Sequence, residues 1–322
     1  MNNHQILILG WPVSPVQKWL KKYPNVRVER IYREATRKIE KYRKNISFHT
    51  PKFIYSRWAK LSPECWYGDW KYDIENYDTV IIIDEVRGRD IFEFIFRKNP
   101  TCNVCVFYDS PILPNTPKSP DNYSDLPVRF FSCDPKIVLD YGIEEKPYFY
   151  VFQPDECGEK KFYSCDSDVF FVGENKGGRK KVLQNLKNVL SDYGIHCKFV
   201  LVSNNRHCFF SRRFTNFVDY MPYDEVIANI KGCKAILELV SDGQTGITQR
   251  PYEAIYYGKK LITNNKGVMK YSFYNEERVF VLGQRDIGEL VDFINKPVCE
   301  YDVGIEYTFE RWVRGFLVMS EG

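Results

Sequence analysis

The chain has 322 residues, of which 44% are hydrophobic and 27% are charged, and its formal net charge is +4. At roughly 100–200 residues per domain, this length predicts two globular domains. The small net charge does not by itself indicate nucleic-acid binding, although it suits an anionic substrate or weak contact with an anionic membrane. No apolar run approaches the roughly 18 residues that are needed to cross a bilayer.

The N-terminal segment and the cysteines give no sign of export or of a metal centre. Residues 1–9 have neither the basic start nor the apolar length of a signal peptide. The 10 cysteines are scattered, which favours reduced and mostly buried thiols. Cys102 and Cys105 form a C-x-x-C, but strand periodicity points them to opposite faces and no second pair follows at zinc spacing. We therefore expect a cytoplasmic protein without a metal site.

Strand and helix patterns alternate along the first half, which is typical of a parallel α/β sheet. The predicted strands are residues 5–10, 26–31, 79–83, 104–108 and 128–132, and the predicted helices are residues 15–23, 33–44, 91–97 and 135–141. The helix over 33–44 is very polar, with Ala35, Ile39 and Tyr42 as its apolar stripe. Residues 111–127 contain five prolines and are expected to form a loop.

The alternation restarts after a strand-poor linker over residues 143–167. The predicted strands are residues 168–172, 197–202, 217–218, 235–240, 260–263 and 279–282, and the predicted helices are residues 179–193, 224–231, 251–258, 287–294 and 308–317. Two successive runs of this kind predict two α/β domains instead of one long sheet.

Three loops of the second half follow strands and precede helices, which is where ligands of parallel sheets bind. In the first, Gly173 to Arg179, glycines and the side chains of Lys176 and Arg179 either contact a phosphate or form a solvated turn. The G-x-G-x-x-G and P-loop patterns are absent. In the third, residues 219–225, Tyr223 either lines a base-binding slot or belongs to a capped turn.

The second loop, residues 241–254, carries the largest set of polar groups. Arg250 offers a fork for phosphate, Pro251 is a favourable first helical residue, and Glu253 is expected in the first helical turn. A carboxylate at that place either accepts hydrogen bonds from ribose hydroxyls or only complements the helix dipole.

The order of motifs from Phe217 to Asn264 resembles the donor-binding half of bacterial GT-B glycosyltransferases, in particular those of capsule, lipopolysaccharide and other surface-polysaccharide synthesis. The motifs are the Met-Pro-Tyr-Asp-Glu turn, the Gly-Gln-Thr-Gly loop, Arg-Pro-Tyr-Glu-Ala, Tyr-Tyr-Gly-Lys-Lys and Leu-Ile-Thr-Asn. The resemblance covers residues 168–295, and it reaches the first half only through the strand–helix rhythm.

The resemblance implies an α/β, GT-B fold with two Rossmann-like domains whose parallel sheets face each other across a cleft. Residues 1–150 would bind the acceptor, residues 151–302 would bind a nucleotide sugar, and residues 303–322 would form a helix crossing back to the first domain. Glu253 would hold the ribose, the glycine loops the diphosphate and the turn at Tyr223 the base. The donor residues implied in this way are Gly173, Asn175, Lys176, Arg179, Tyr223, Gln244, Thr245, Gly246, Thr248, Arg250 and Glu253.

Thr245 departs from the family pattern. Many retaining members carry a second glutamate eight positions before the ribose glutamate, where this chain has Thr245. The stereochemistry of transfer is therefore left open. Cations and helix dipoles can neutralise a departing diphosphate, so no metal cofactor is expected.

An inverting transfer also needs a base for the proton of the acceptor hydroxyl. The candidates lie at predicted strand ends of the first half: Asp109 is the leading one, followed by Asp84 and Glu85. An aspartate before Ser-Pro can equally cap a turn. His49 is a weaker candidate, since it lies in an aromatic segment.

The basic helix over 33–44 and the aromatic run to Trp70 suit either a lipid-linked acceptor at the inner face of a membrane or, alternatively, a solvated helix beside an aromatic core. The expected partners are a nucleotide sugar and a glycan or lipid-linked acceptor, without nucleic acid. Two other functions fit the same fold: a sugar-nucleotide epimerase, which the scarcity of histidine disfavours, and a non-catalytic scaffold that binds nucleotide sugars.

Overall fold

The computed structural model describes residues 4–10, 20, 22–49, 54, 62–113, 116–149, 167–202, 216–218, 221–241, 246–298 and 308–317. The chain divides into two compact units. The first consists of Met1–Pro147 together with Glu310–Gly322, and the second of Tyr148–Phe309. Each unit is built on one six-stranded sheet in which every described strand pairing is parallel.

The sheet of the first unit has the order β2-β1-β3-β4-β5-β6. Its strands are β1 (Ile6–Leu9), β2 (Val26–Glu29), β3 (Thr79–Ile83), β4 (Asn103–Tyr108), β5 (Val128–Ser132) and β6 (Glu144–Glu145). Its helices are α1 (Lys38–His49), α2 (Asp90–Lys98) and α3 (Pro135–Tyr141). Short 3-10 segments, Pro63–Trp66, Asp69–Tyr72, Ile74–Asn76 and Pro120–Tyr123, complete it.

The central strands of this sheet are covered on both faces. Every residue of β1 and β3 is buried, as continuous apolar runs in a parallel sheet require. One face packs against a cluster that includes Trp66, Tyr67 and Trp70. These aromatic side chains therefore form core, which agrees with the alternative of an ordinary aromatic core. Phe53, Tyr55 and Trp58 lie outside the described residues.

Helix α1 corrects the prediction of a helix over residues 33–44. It begins five residues later and extends to His49. The backbone N–H of Arg33 is already used, since it donates to the carbonyl of Trp66 at 2.8 Å. Glu40 Oε2 then accepts from the backbone N–H groups of Thr36 and Arg37, which satisfies donors at the helix start. Ile39 and Tyr42, the expected apolar stripe, are exposed.

The sheet of the second unit has the order β12-β11-β10-β7-β8-β9. Its strands are β7 (Val169–Glu174), β8 (Cys197–Val202), β9 (Asn216–Val218), β10 (Ala235–Glu238), β11 (Lys260–Thr263) and β12 (Val279–Val281). Its helices are α4 (Arg179–Asp192), α5 (Tyr223–Lys231), α6 (Gln249–Tyr256) and α7 (Glu289–Asn295), with a 3-10 segment at Lys266–Lys270. Separate apolar clusters cover its two faces, as in a doubly wound sheet.

The last helix, α8 (Phe309–Arg314), belongs to the first unit from Glu310 onward. Trp312 and Phe316 are buried against Phe107, with ring centroids at 5.2 and 6.3 Å. The carbonyl of Phe316 accepts from Asn103 Nδ2 at 2.8 Å. The first unit thus draws part of its core from the C-terminal end of the chain.

The predicted helix over 15–23 lies mostly outside the described residues. Among the helices that the structure describes, none is long and apolar enough to span a membrane.

Candidate functional site

Polar side chains gather at the carboxyl ends of the strands in both units. In open parallel sheets, ligands bind where the strand order reverses direction. That point lies between β7 and β10 in the second sheet, whose order from β9 onward is β9-β8-β7-β10-β11-β12. In the first sheet it lies between β1 and β3.

In the second unit, Glu253 is fully buried and is held from two helices. The hydroxyl of Tyr223, on α5, donates to Glu253 Oε1 at 3.1 Å. Arg250, one turn earlier on α6, forms an ion pair with Glu253 Oε2. Burial raises the pKa of Glu253, and Arg250 and Tyr223 oppose that shift. Tyr223 and Arg250, which the sequence singled out in two separate loops, therefore both contact the carboxyl group of Glu253.

Glu238 is a second buried carboxyl group at the same edge, and the sequence analysis missed it. It ends β10, where Thr248 Oγ1 donates to Oε1 and Thr263 Oγ1 donates to Oε2, each at 2.5 Å. Burial raises the pKa of Glu238, and the two threonine hydroxyls oppose the shift. The available signal was a lone glutamate within the apolar run Ala-Ile-Leu-Glu-Leu-Val, because a buried carboxyl group needs partners.

Helix α6 differs from its prediction in its starting point. Thr248 is the N-cap, and its Oγ1 accepts from the backbone N–H of Arg250 at 3.2 Å. Pro251 is consequently the third helical residue instead of the first, and Glu253 lies beyond the first turn. Glu253 therefore does not lie in the first turn, where a carboxylate would interact favourably with the helix dipole.

The glycine turn before α4 borders a cavity of about 340 Å³. Gly177 and Gly178 both have positive φ angles, 54° and 73°, which glycine tolerates best. Arg179 turns back so that its Nη1 donates to the carbonyl of Glu174 at 3.0 Å, while its buried Nε has no partner among the described residues. Burial lowers the pKa of Arg179. Lys176 also lines the cavity and forms an ion pair with Glu174.

The remaining donor candidates are dispersed around these two groups. Gly173 lies within β7 instead of the turn, and Asn175 is exposed beside it. The carbonyl of Gly246 accepts from Asn265 Nδ2 at 3.1 Å. Gln244 and Thr245 lie outside the described residues. The structure therefore brings Lys176 and Arg179 to one cavity, and Tyr223, Thr248, Arg250 and Glu253 to the buried carboxyl groups. Glu238 interacts electrostatically with both sets. Its negative charge raises the pKa of Arg179, and the positive charge of Arg250 lowers the pKa of Glu238.

In the first unit, Asp84 is the centre of a polar cluster at the ends of β3 and β4. Lys118 Nζ lies 2.7 Å from Asp84 Oδ1. The backbone N–H of Ser110 donates to the same oxygen at 3.2 Å, and Ser110 Oγ donates to Oδ2. Asp84 has a φ angle of 61°, which is uncommon for a residue other than glycine and is found mostly where surrounding contacts impose it.

Asp109 lies next to this cluster. Its surface is exposed, yet the density of protein around its carboxyl group and then the negative charge of Asp84 raise the pKa of Asp109 to about 7. Lys118 opposes the shift, and a hydrogen bond with Asp84 adds to it. Because solvent at the exposed surface weakens the effect of burial, the negative charge of Asp84 is the main cause of the raised pKa of Asp109. A carboxyl group with a pKa near neutrality suits proton transfer.

Glu85, the third candidate, has a different environment. It is exposed, and its backbone N–H donates to the carbonyl of Ile83 at 2.7 Å. Its charge acts on Lys44 and Tyr32, away from the pair of aspartates. The structure thus joins Asp84 to Asp109 and leaves Glu85 apart. Lys118, which the sequence analysis also missed, comes from the proline-rich loop, where nothing in the sequence marked it.

Across the described residues, no three His, Cys, Asp or Glu side chains are arranged to hold a metal ion. Cys102 and Cys105 are both buried without a disulfide, and burial raises the pKa of each thiol to about 12.

No protein-family model and no curated protein sequence matches the chain. Solved structures do match. A sucrose-phosphate synthase from Thermosynechococcus elongatus has a TM-score of 0.50 and 13% identity, over 90% of this chain and 89% of that chain. A glycosyltransferase from Rickettsia africae has a TM-score of 0.48 and 11% identity, over 91% and 88%. The glycosyltransferase SnogD from Streptomyces nogalater has a TM-score of 0.41 and 11% identity, over 96% and 92%.

Identities this low show the fold alone. The predicted α/β class with two Rossmann-like parallel sheets is confirmed. The chain has the GT-B fold.

Proposed function

We propose that the protein is a glycosyltransferase that moves a sugar from a nucleotide-sugar donor to an acceptor hydroxyl. The observation that carries this proposal is that Tyr223 and Arg250 both contact the buried carboxyl group of Glu253, at the ligand-binding edge of the second sheet. The GT-B fold supports it. The sequence resemblance alone supports the narrower proposal that the acceptor is a glycan or lipid-linked sugar of surface-polysaccharide synthesis.

The donor binds to the second unit in this proposal. Ribose hydroxyls donate to Glu253, taking the place of one of its present partners, and Tyr223 contacts the base. Arg250, released from the carboxylate, joins Lys176 and Arg179 in pairing with the diphosphate. Fixed cations of this kind stabilise the charge that develops on a departing diphosphate. In this proposal they do so without a divalent metal.

The acceptor binds to the first unit, and Asp109 acts as the general base. The acceptor oxygen forms a bond to the anomeric carbon while the bond from that carbon to the diphosphate oxygen breaks. The proton of the acceptor hydroxyl passes to Asp109, and the nucleoside diphosphate leaves with the bonding electrons. Asp84, paired with Lys118, positions Asp109 and adjusts its pKa.

The donor site is tested by thermal-shift measurements with UDP, GDP, dTDP and CMP and their sugar conjugates. A ligand at a hundredfold excess over its dissociation constant stabilises the native state by about 2.7 kcal/mol. We expect one nucleotide class to raise the melting temperature of the wild type and of Glu225→Gln, an exposed glutamate on α5, but not of Glu253→Gln. If no nucleotide produces a shift, the proposal fails.

Catalysis is tested separately by measuring release of the nucleoside diphosphate from the donor that binds. Asp109→Asn should abolish release while nucleotide binding persists, and Asp140→Asn, at an exposed position on α3, should retain it. A wild type that binds nucleotide sugars tightly and releases nothing with any glycan or lipid-linked acceptor would instead be the non-catalytic scaffold.

A further inference from the structure

We propose that the first unit contains a binding site for a phosphate group carried by the acceptor. The site is a cavity of about 950 Å³ formed by α1 and by the segments that follow β2, β3 and β4. This inference rests on the proposed function and deepens it, because it assigns a chemical class to the acceptor. Its position fits a ligand site, since these segments leave the carboxyl ends of the strands on both sides of the β1–β3 reversal point.

Basic side chains dominate the wall of the cavity. Lys41, Lys44, His49, Arg87 and Lys118 line it, whereas Glu34 is the only acidic residue among its described lining. Lys118 is paired with Asp84. By contrast, Lys41, Lys44 and Arg87 form no ion pair with any carboxylate that the structure describes. Three cations around one cavity, none of them in an ion pair with a described carboxylate, favour an anionic ligand.

Two of these cations are held in place by aromatic rings. The guanidinium of Arg87 lies 5.4 Å from the ring of Tyr32 and 5.5 Å from that of Phe48. Lys44 Nζ lies 5.2 Å from the Tyr32 ring and donates to the carbonyl of Arg33 at 2.9 Å. Side chains that are already ordered lose less conformational entropy when they bind a ligand. Cation–π contacts leave the N–H donors of the guanidinium edge available to oxygen acceptors.

The positive charge of Lys44 is also repelled by neighbouring cations, which favours an anion beside it. Burial and then the charge of Arg87 lower the pKa of Lys44, while Glu85 opposes them. Arg33 adds to the repulsion. A phosphate dianion between Lys44 and Arg87 would relieve it, and Arg87 supplies the bidentate geometry that phosphate oxygens prefer.

The cavity is also connected to the proposed base. Lys118 lines it and simultaneously contacts Asp84, which neighbours Asp109. A phosphate bound by Lys44 and Arg87 would therefore anchor the acceptor at a distance from its reacting hydroxyl. Binding energy from a remote group of this kind orients the reacting group without taking part in the chemistry.

Calorimetric titration and phosphorus NMR with inorganic phosphate and with glucose 6-phosphate test the site, with unphosphorylated glucose as the neutral comparison. We expect both phosphates to bind the wild type, and Lys44→Met and Arg87→Ala to weaken their binding by at least about tenfold. Lys136→Met, at an exposed lysine on α3 outside the cavity, should leave it unchanged. Absence of glucose 6-phosphate binding, or equal weakening by Lys136→Met, would overturn the proposal.

Sedimentation with vesicles distinguishes a soluble from a lipid-borne phosphate. Phosphatidylcholine vesicles that contain phosphatidic acid should bring down the wild type, but not Arg87→Ala, if the phosphate monoester is presented by a lipid. Equal sedimentation with phosphatidylserine vesicles would mean general attraction to negative charge, which contradicts a phosphate site. Binding of glucose 6-phosphate without any vesicle binding assigns a soluble acceptor.

The test of the phosphate site can fail independently of the test of the proposed function. Arg87→Ala should retain the thermal shift with the donor nucleotide, because it lies in the other unit. Phosphate binding without nucleotide binding would contradict the glycosyltransferase proposal and still support the phosphate site. Sugar transfer with an unchanged KM for the acceptor in Arg87→Ala would do the reverse.

Discussion

The ammonium group of Lys118 lies 2.7 Å from Oδ1 of Asp84, and this ion pair holds a carboxylate beside Asp109. The pair is largely removed from solvent, with 17% and 24% of the two side chains exposed. Interactions between charges are stronger in such surroundings than in water. The pKa of the proposed base is therefore raised by the anionic Asp84 and lowered by the cationic Lys118.

The first prediction concerns the pH dependence of turnover. With a pKa of about 7, Asp109 loses its activity as a base on acidification, so kcat/KM should fall about tenfold per pH unit below neutrality. The same shift predicts a stability effect. Since the folded pKa is above the unfolded value of 3.8, this contribution to stability is complete below 3.8 and is lost as the pH rises through about 7.

Asp109→Asn should therefore be inactive and yet more stable than the wild type at alkaline pH, with little difference in strong acid. Urea denaturation at both extremes checks this. An inactive variant that is also destabilised at alkaline pH would point to a structural role for Asp109.

A second prediction follows from the two neighbours of Asp109. Asp84→Asn removes a charge that raises the pKa of Asp109, so the acidic limb of the pH–rate profile should move to lower pH. Asparagine also tolerates the positive φ angle at this position. Lys118→Met removes a charge that lowers the pKa of Asp109 and should move the limb to higher pH. Shifts in the same direction, or a lower rate without any shift, would contradict an electrostatic role.

The third prediction concerns Glu238. Its pKa is raised by burial, so its contribution to stability is complete below the unfolded value of 4.5 and is lost as the pH rises through the higher folded value. Glu238→Gln retains the shape of the neutral acid and avoids the charge. The variant should therefore gain stability over the wild type as the pH rises above 4.5. Chemical denaturation measures the gain, and Glu225→Gln controls for the loss of a surface charge.

The fourth prediction concerns the C-terminal segment. Phe316 is fully buried, with ring centroids of Phe131 and Trp312 at 4.8 and 4.6 Å. Phe316→Ala should destabilise the first unit by about 3–5 kcal/mol through lost burial and a residual cavity. Leu139→Ala, whose side chain is 82% exposed, should change stability by less than about 0.5 kcal/mol. Similar values for the two variants in urea denaturation would disprove the packing role.

The elements that could be predicted were those whose surroundings are determined by the parallel sheet itself. The strands over 79–83 and 128–132 and the helix over 135–141 were predicted with their observed bounds. A near-continuous apolar run marks the first, and an Asp-Pro start marks the helix. That Asp84 and Asp109 lie at the same edge could be predicted for the same reason, since neighbouring parallel strands end at one edge.

What could not be predicted depends on contacts between distant segments. Nothing near Arg33 shows that its N–H is taken by Trp66, so the start of α1 was placed five residues too early. Lys118 reaches Asp84 from a loop whose path the local sequence does not determine. The role of Glu238 could not be predicted because its carboxyl group is held by Thr248 and Thr263, which lie 10 and 25 residues away along the chain.

The contribution of both chain ends to the first unit has a consequence for biosynthesis. The second unit is continuous from Tyr148 to Phe309, so its residues have all been translated before the segment that carries Trp312 and Phe316 is made. Domains generally fold as units during synthesis. The first unit can thus be completed only after the second unit has been translated, and until then the rings of Phe107 and Phe131 lack their contacts with Phe316.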